Sequence, residues 1–169
     1  MKKNSVLISE IKNMSGNVLG IGDFDNKIVE KLDKNDNITT CNILGNSDYD
    51  GENSGRCKKM HLSKIRKFKH KKIDYLIVNY KDIDKFLKTF IKDSIYITKQ
   101  NIYFCTNNSK ILKLYNRYDV SIKTIKCSDE NIYVIDTSKA KNNKVKEFIY
   151  RIEDYFEYLV DVITEMLVN

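Results

Sequence analysis

Residues 17–26 read Asn-Val-Leu-Gly-Ile-Gly-Asp-Phe-Asp-Asn, a short apolar run that breaks into two glycines and two aspartates. The apolar part, Asn17 to Gly22, has the length and boundaries of a strand. Asp25 is a good N-cap for a helix from Asn26 to about Lys34, which carries Ile28, Val29 and Leu32 on one face. A second strand, Ile38 to Leu44, is bounded by Asn35-Asp36-Asn37 before it and Gly45-Asn46 after it. A strand, a helix and a strand joined by so short a crossover imply parallel strands and a right-handed connection. The carboxyl tips of the two strands then share a crevice.

Working outward, Val6, Leu7, Ile11 and Met14 fall at near-helical spacing, and Ser15-Gly16 closes that first helix. Beyond the second strand, residues 45–55 form a polar, glycine-containing loop, and the CKKMHL run at 57–62 allows a short strand. IDYLIV at 73–78 is the clearest buried strand, and Asp82 can cap a helix over Ile83 to Lys92. Ser94 to Cys105 is rich in strand formers and reads as one interrupted strand. A helix over 109–118 is expected next, capped by Asn107 or Asn108. The runs 120–127 and 131–138, separated by Ser128-Asp129-Glu130, read as an antiparallel hairpin. Last, Val145, Phe148, Ile149, Ile152, Phe156, Leu159, Ile163, Met166 and Leu167 form one apolar stripe between acidic residues. This amphipathic C-terminal helix, about 144–168, is expected to pack on the sheet, with homodimerisation as its alternative. The reading is a single α/β domain over 1–169 with a core at about 5–138.

A chain of 169 residues, 41% hydrophobic, can bury one sizeable core. No apolar run approaches the roughly 18 residues of a membrane span, and no cleavage site follows the basic opening, so no membrane partner and a cytoplasmic location are expected. Cys41, Cys57, Cys105 and Cys127 are widely spaced, with no paired motif, and read as reduced and mostly buried. His61 and His70 stand in a lysine-rich stretch, so neither a metal site nor histidine catalysis is expected. The net charge of +7 carries little weight by itself, because 26 lysines, 4 arginines and one alanine are what an AT-rich coding sequence yields. The local distribution says more: residues 56–72 hold nine cations and no acid. Lys64, Arg66, Lys67 and Lys69 are therefore candidates for binding RNA or another phosphate-bearing partner, against the plainer reading of a solvated lysine loop.

The element order, alternating strands and helices closed by an antiparallel hairpin, resembles the class I S-adenosylmethionine-dependent methyltransferases. The resemblance covers roughly residues 5–138 and rests more on element order than on motifs. It implies a Rossmann-like, mostly parallel seven-stranded sheet. In that family the first strand ends in a pattern of the form V-L-D-I-G-x-G-x-G. The matching residues are Val18-Leu19-Gly20-Ile21-Gly22-Asp23-Phe24-Asp25: Gly22 fits, Gly20 stands at the acid, Phe24 at the second loop glycine, and Asn26 at the third. The ribose-binding acid that closes the second strand corresponds to Asn42, and the (D/N)-P-P-(Y/F) motif of amino-group methyltransferases to Asn79-Tyr80-Lys81.

The resemblance thus implies S-adenosylmethionine as cofactor, with Gly20, Gly22 and Asp23 at its methionine end and Asn42 at its ribose. Asn79 and Tyr80 would orient a nucleophile for in-line attack on the methyl group, a reaction that needs mainly positioning. The expected function is a methyltransferase of unknown substrate, with nucleic acid among the candidates. The alternative is an inactive methyltransferase-like binding or scaffold protein, favoured by departures at three corners of one site, since a fold does not dictate its function.

Overall fold

The computed structural model describes residues 1–45, 57–61, 72–79 and 87–140, together with Ile152, Phe156, Val160 and Ile163. The elements are α1 (Lys3–Ile11), β1 (Gly16–Gly22), α2 (Asn26–Asp33), β2 (Ile38–Gly45), β3 (Cys57–His61), β4 (Ile73–Asn79), α3 (Leu87–Ile97), β5 (Thr98–Cys105), α4 (Lys110–Tyr115), β6 (Ser121–Ile125) and β7 (Ile132–Asp136). The strands form one seven-stranded sheet in the order β3-β2-β1-β4-β5-β7-β6. β1 pairs in parallel with β2 on one side and β4 on the other, which brings their carboxyl tips to one edge. β7 runs antiparallel to both β5 and β6, as the hairpin reading requires.

Strand alternation divides the core in two. Leu19 and Ile21 of β1 face α3 and α4, packing with Phe90, Ile91 and Tyr115. Val18 faces α1 and α2, packing with Leu7, Ile11, Ile28 and Leu32. Both faces of β1 are therefore buried, which is why its sequence is apolar without alternation. α2 begins where expected: the Asp25 side chain accepts from the Lys27 N–H, and Ile28, Val29 and Leu32 are its buried face.

The boundary between α3 and β5 differs most from the sequence reading. Ser94 to Ile97, expected as strand, are the last turn of α3, and β5 starts at Thr98. Ile95 and Ile97 extend the buried stripe of Leu87, Phe90 and Ile91. Ser94 Oγ donates to the Ile91 carbonyl at 2.7 Å and lies 2.9 Å from the Tyr115 hydroxyl, so a buried polar side chain is satisfied within the helix. Burial has overridden the strand propensity of this segment. Of the expected loop at 45–55, Gly45 is the last residue of β2 and 46–55 lie outside the described residues, as does the expected helix start at Ile83. Of the C-terminal helix, Ile152, Phe156, Val160 and Ile163 are described; they are helical and exposed.

The opposite, amino-terminal edge is anchored by Asp74. Its carboxylate accepts from the Asn17 N–H at 2.8 Å and from the Gln100 side chain at 3.4 Å. Gly16 enters β1 at φ +80°, and a Cβ there would stand 2.4 Å from Asp74 Oδ2. Gly16→Ala is expected to cost about 1–3 kcal/mol in urea unfolding through left-handed strain and displacement of that carboxylate; a loss well below this would refute the strain.

Candidate functional site at the carboxyl edge of the sheet

At the carboxyl edge, Gly22 of β1 stands level with Asn79 of β4. Gly22 adopts φ +109°, a conformation that L side chains rarely enter, so the chain turns out of the sheet there without a Cβ. The Asn79 Nδ2 group donates to the Asp23 carbonyl, tying the end of β4 to the turn after β1. Asn79 Oδ1 accepts from the Lys3 ammonium at 2.8 Å. One neighbour can only accept and the other can only donate, so the orientation of this amide is dictated by its partners.

Lys3 comes from the start of α1, which reaches this edge because it packs against the hairpin loop between β6 and β7. The Lys3 N–H donates to Asp129 Oδ1 at 2.8 Å, while Ser128 N–H donates to the Met1 carbonyl at 3.1 Å. No side chain of its own caps α1; Asp129 does so from across the fold, and that bond holds its carboxyl below the usual range. The Lys3 ammonium also pairs with Glu130 Oε2 at 2.6 Å, leaving its side chain 14% exposed. Beneath this group, burial pushes the Cys105 thiol up to about 12, so it stays protonated.

Gly20 and Phe24 form a single packing unit. The Phe24 ring folds back under the turn into the core on the α1–α2 side and is 6% exposed. A Cβ on Gly20 would lie 2.9 Å from that ring and 3.5 Å from the Ile43 side chain. The glycine where the resembled family has an acid and the phenylalanine where it has a glycine are thus one exchange of volume. The ring occupies the space against Gly20 in the core, below the turn that carries Gly22.

Asn42 is not brought to this edge. It pairs with Leu19, and β2 runs three residues further to Gly45, so Asn42 sits about 10 Å back along the strand. The strand is longer than the resemblance implied because Ile43 and Leu44 are both fully buried core residues. Tyr80, Lys64, Arg66, Lys67 and Lys69 lie outside the described residues. Gly22, Asp23 and Asn79 are the sequence candidates that meet. Lys3, Asp129 and Glu130 join them unanticipated, because a contact across some 126 positions leaves no local sequence signal.

Solved structures share this fold. The N-methyltransferase NodS from Bradyrhizobium japonicum is similar at a TM-score of 0.60 and 8% identity, over 83% of this chain and 95% of that one. The class I methyltransferase fold is the fold of this chain. TrmK from M. capricolum, solved with S-adenosyl-homocysteine, matches this methyltransferase fold at a TM-score of 0.54 and 14% identity, covering 93% and 85% of the two chains. Spermidine synthase from Thermotoga maritima matches at 0.55 and 14%; 80% of this chain aligns with 58% of that one. No family model and no curated protein sequence matches the chain. The agreement with these structures lies in the fold, at 8–14% identity, with side chains largely replaced.

Gly20→Ala is expected to destabilise the protein by about 1–3 kcal/mol in urea unfolding, with much of the loss restored in the double variant with Phe24→Leu. Additive losses in that double-mutant cycle would show the two positions to be independent.

Proposed function

We propose that the chain is an S-adenosylmethionine-dependent methyltransferase whose cofactor lies over the turn after β1. The observation that carries this reading is the pairing of Gly22, free of a Cβ and at φ +109°, with Asn79 at the tip of the adjacent strand. The residues present fit the group: Gly22 leaves room for close approach of a ligand to the backbone, and Phe24 is turned into the core. Gly22 and Asp23 would hold its methionine end through the main chain. The cofactor supplies a methyl group made electrophilic by a sulfonium. Asn79 would present its amide oxygen to an attacking nitrogen, and Tyr80, the next residue in the sequence, is proposed to share that role, so that catalysis rests on positioning. A nitrogen acceptor is in keeping with the activity named for NodS, and the cofactor with the product bound to TrmK.

Asn42 and Gly20 take a lesser part, the first as a distant polar group and the second as the seat of the Phe24 ring. Lys64, Arg66, Lys67 and Lys69 are proposed as the surface for a phosphate-bearing substrate, and the C-terminal helix as a contact between copies. A second reading, a binding or scaffold protein without cofactor, draws support from β2, whose own residues, Ile38–Gly45, include no carboxylate for a ribose. Calorimetric titration separates the two. S-adenosylmethionine and S-adenosylhomocysteine are expected to bind with micromolar affinity, roughly −8 kcal/mol, and Gly22→Val to weaken binding at least about tenfold. Absence of binding at millimolar ligand would establish the second reading.

A further inference from the structure

Lys3 occupies a position that local physics opposes. It is the first residue of α1, where the partial positive charge of the helix terminus disfavours a cation, and its side chain is largely withdrawn from water. What holds it is a pair of acceptors from distant parts of the chain, Asn79 Oδ1 at 2.8 Å and Glu130 Oε2 at 2.6 Å. A carboxylate and an amide oxygen converging on one ammonium make a receptor for a primary amine. One of its two walls is the side chain assigned above to the acceptor substrate.

We propose that Asn79 and Glu130 form the acceptor subsite of this protein, that it takes a primary alkylammonium group, and that Lys3 fills it in cis until a substrate amine displaces it. This rests on the methyltransferase reading for the identity of Asn79 as the acceptor-side residue. Glu130 provides the charge that selects a protonated amine over a neutral hydroxyl and takes one of its protons, so that the neutral amine is what attacks the methyl group as the carbon–sulfur bond breaks, and Asn79 provides the oxygen that fixes its direction. Lys3 acts as an internal competitor: tethered within the same fold, it raises the concentration a free amine needs to enter. The subsite is thereby closed to weakly bound amines and opens to a substrate with further contacts elsewhere.

The test uses the full chain and n-butylammonium chloride as probe, followed by calorimetry and by the side-chain amide resonances of Asn79. Lys3→Ala is expected to bind the probe at least about tenfold more tightly than the wild type, by removal of the tethered competitor. Adding Glu130→Gln is expected to abolish the gain. Equal binding in the two variants, or no binding to Lys3→Ala at tens of millimolar probe, would overturn the proposal. In the wild type, independent of any variant's folding, saturating probe should speed acylation of the Lys3 amine several-fold; an unchanged rate would likewise overturn it. Titration of the same samples with S-adenosylhomocysteine separates the two claims. Cofactor binding without amine binding sinks the subsite alone, whereas Glu130-dependent amine binding without cofactor binding sinks the methyl-transfer reading and the acceptor role with it.

Discussion

The parallel pairing of β1 with β2 on one flank and β4 on the other is the constraint from which the rest of this structure follows. Each strand ladder fixes a register, and register decides which residues reach the carboxyl edge. Gly22 and Asn79 end level because Val18 pairs with Tyr75 at the other end of the ladder. Asn42 is held back because Gly20 pairs with Ile43 and Ile21 with Leu44, leaving Gly45 at the tip of β2. The amide of Asn79 then locks the edge by bonding the Asp23 carbonyl. A one-residue slip of β4 would turn Leu76 and Val78 to the other face and take Asn79 out of line with the turn.

Much of this architecture was legible from short-range chemistry. The Asp25 cap, the Ile28, Val29 and Leu32 face of α2, and the hairpin about residues 128–130 all rest on signals within a few positions of one another. These signals were enough to imply the parallel pair and, through element order, the sheet. The last turn of α3 was not legible, because Ile95, Tyr96 and Ile97 favour strands by intrinsic preference, and only their neighbours in the fold make a helix the better burial. The site was legible in part for the same reason. Gly22 and Asn79 stand at strand ends that the sequence marks, while the roles of Lys3, Asp129 and Glu130 come from tertiary contacts alone.

The Gly20 and Phe24 pair changes how the departures from the methyltransferase pattern are counted. As isolated letters they look like two losses at one cofactor loop. In the structure they are a single rearrangement, with a ring moved beneath the turn and the side chain opposite reduced to hydrogen. Core packing tolerates such volume-conserving exchanges better than either change alone. At β2 the last described residue is Gly45, which carries no side chain.

Residue-resolved chemical-shift mapping during titration with S-adenosylhomocysteine bears most directly on the claim that the β1–β4 edge is a cofactor crevice. The account predicts the largest shifts at the amides of Gly22 and Asp23 and at the side-chain amide of Asn79, with the Gly16 and Asp74 edge unmoved. Shifts centred elsewhere on the sheet, or none at millimolar ligand, would contradict it.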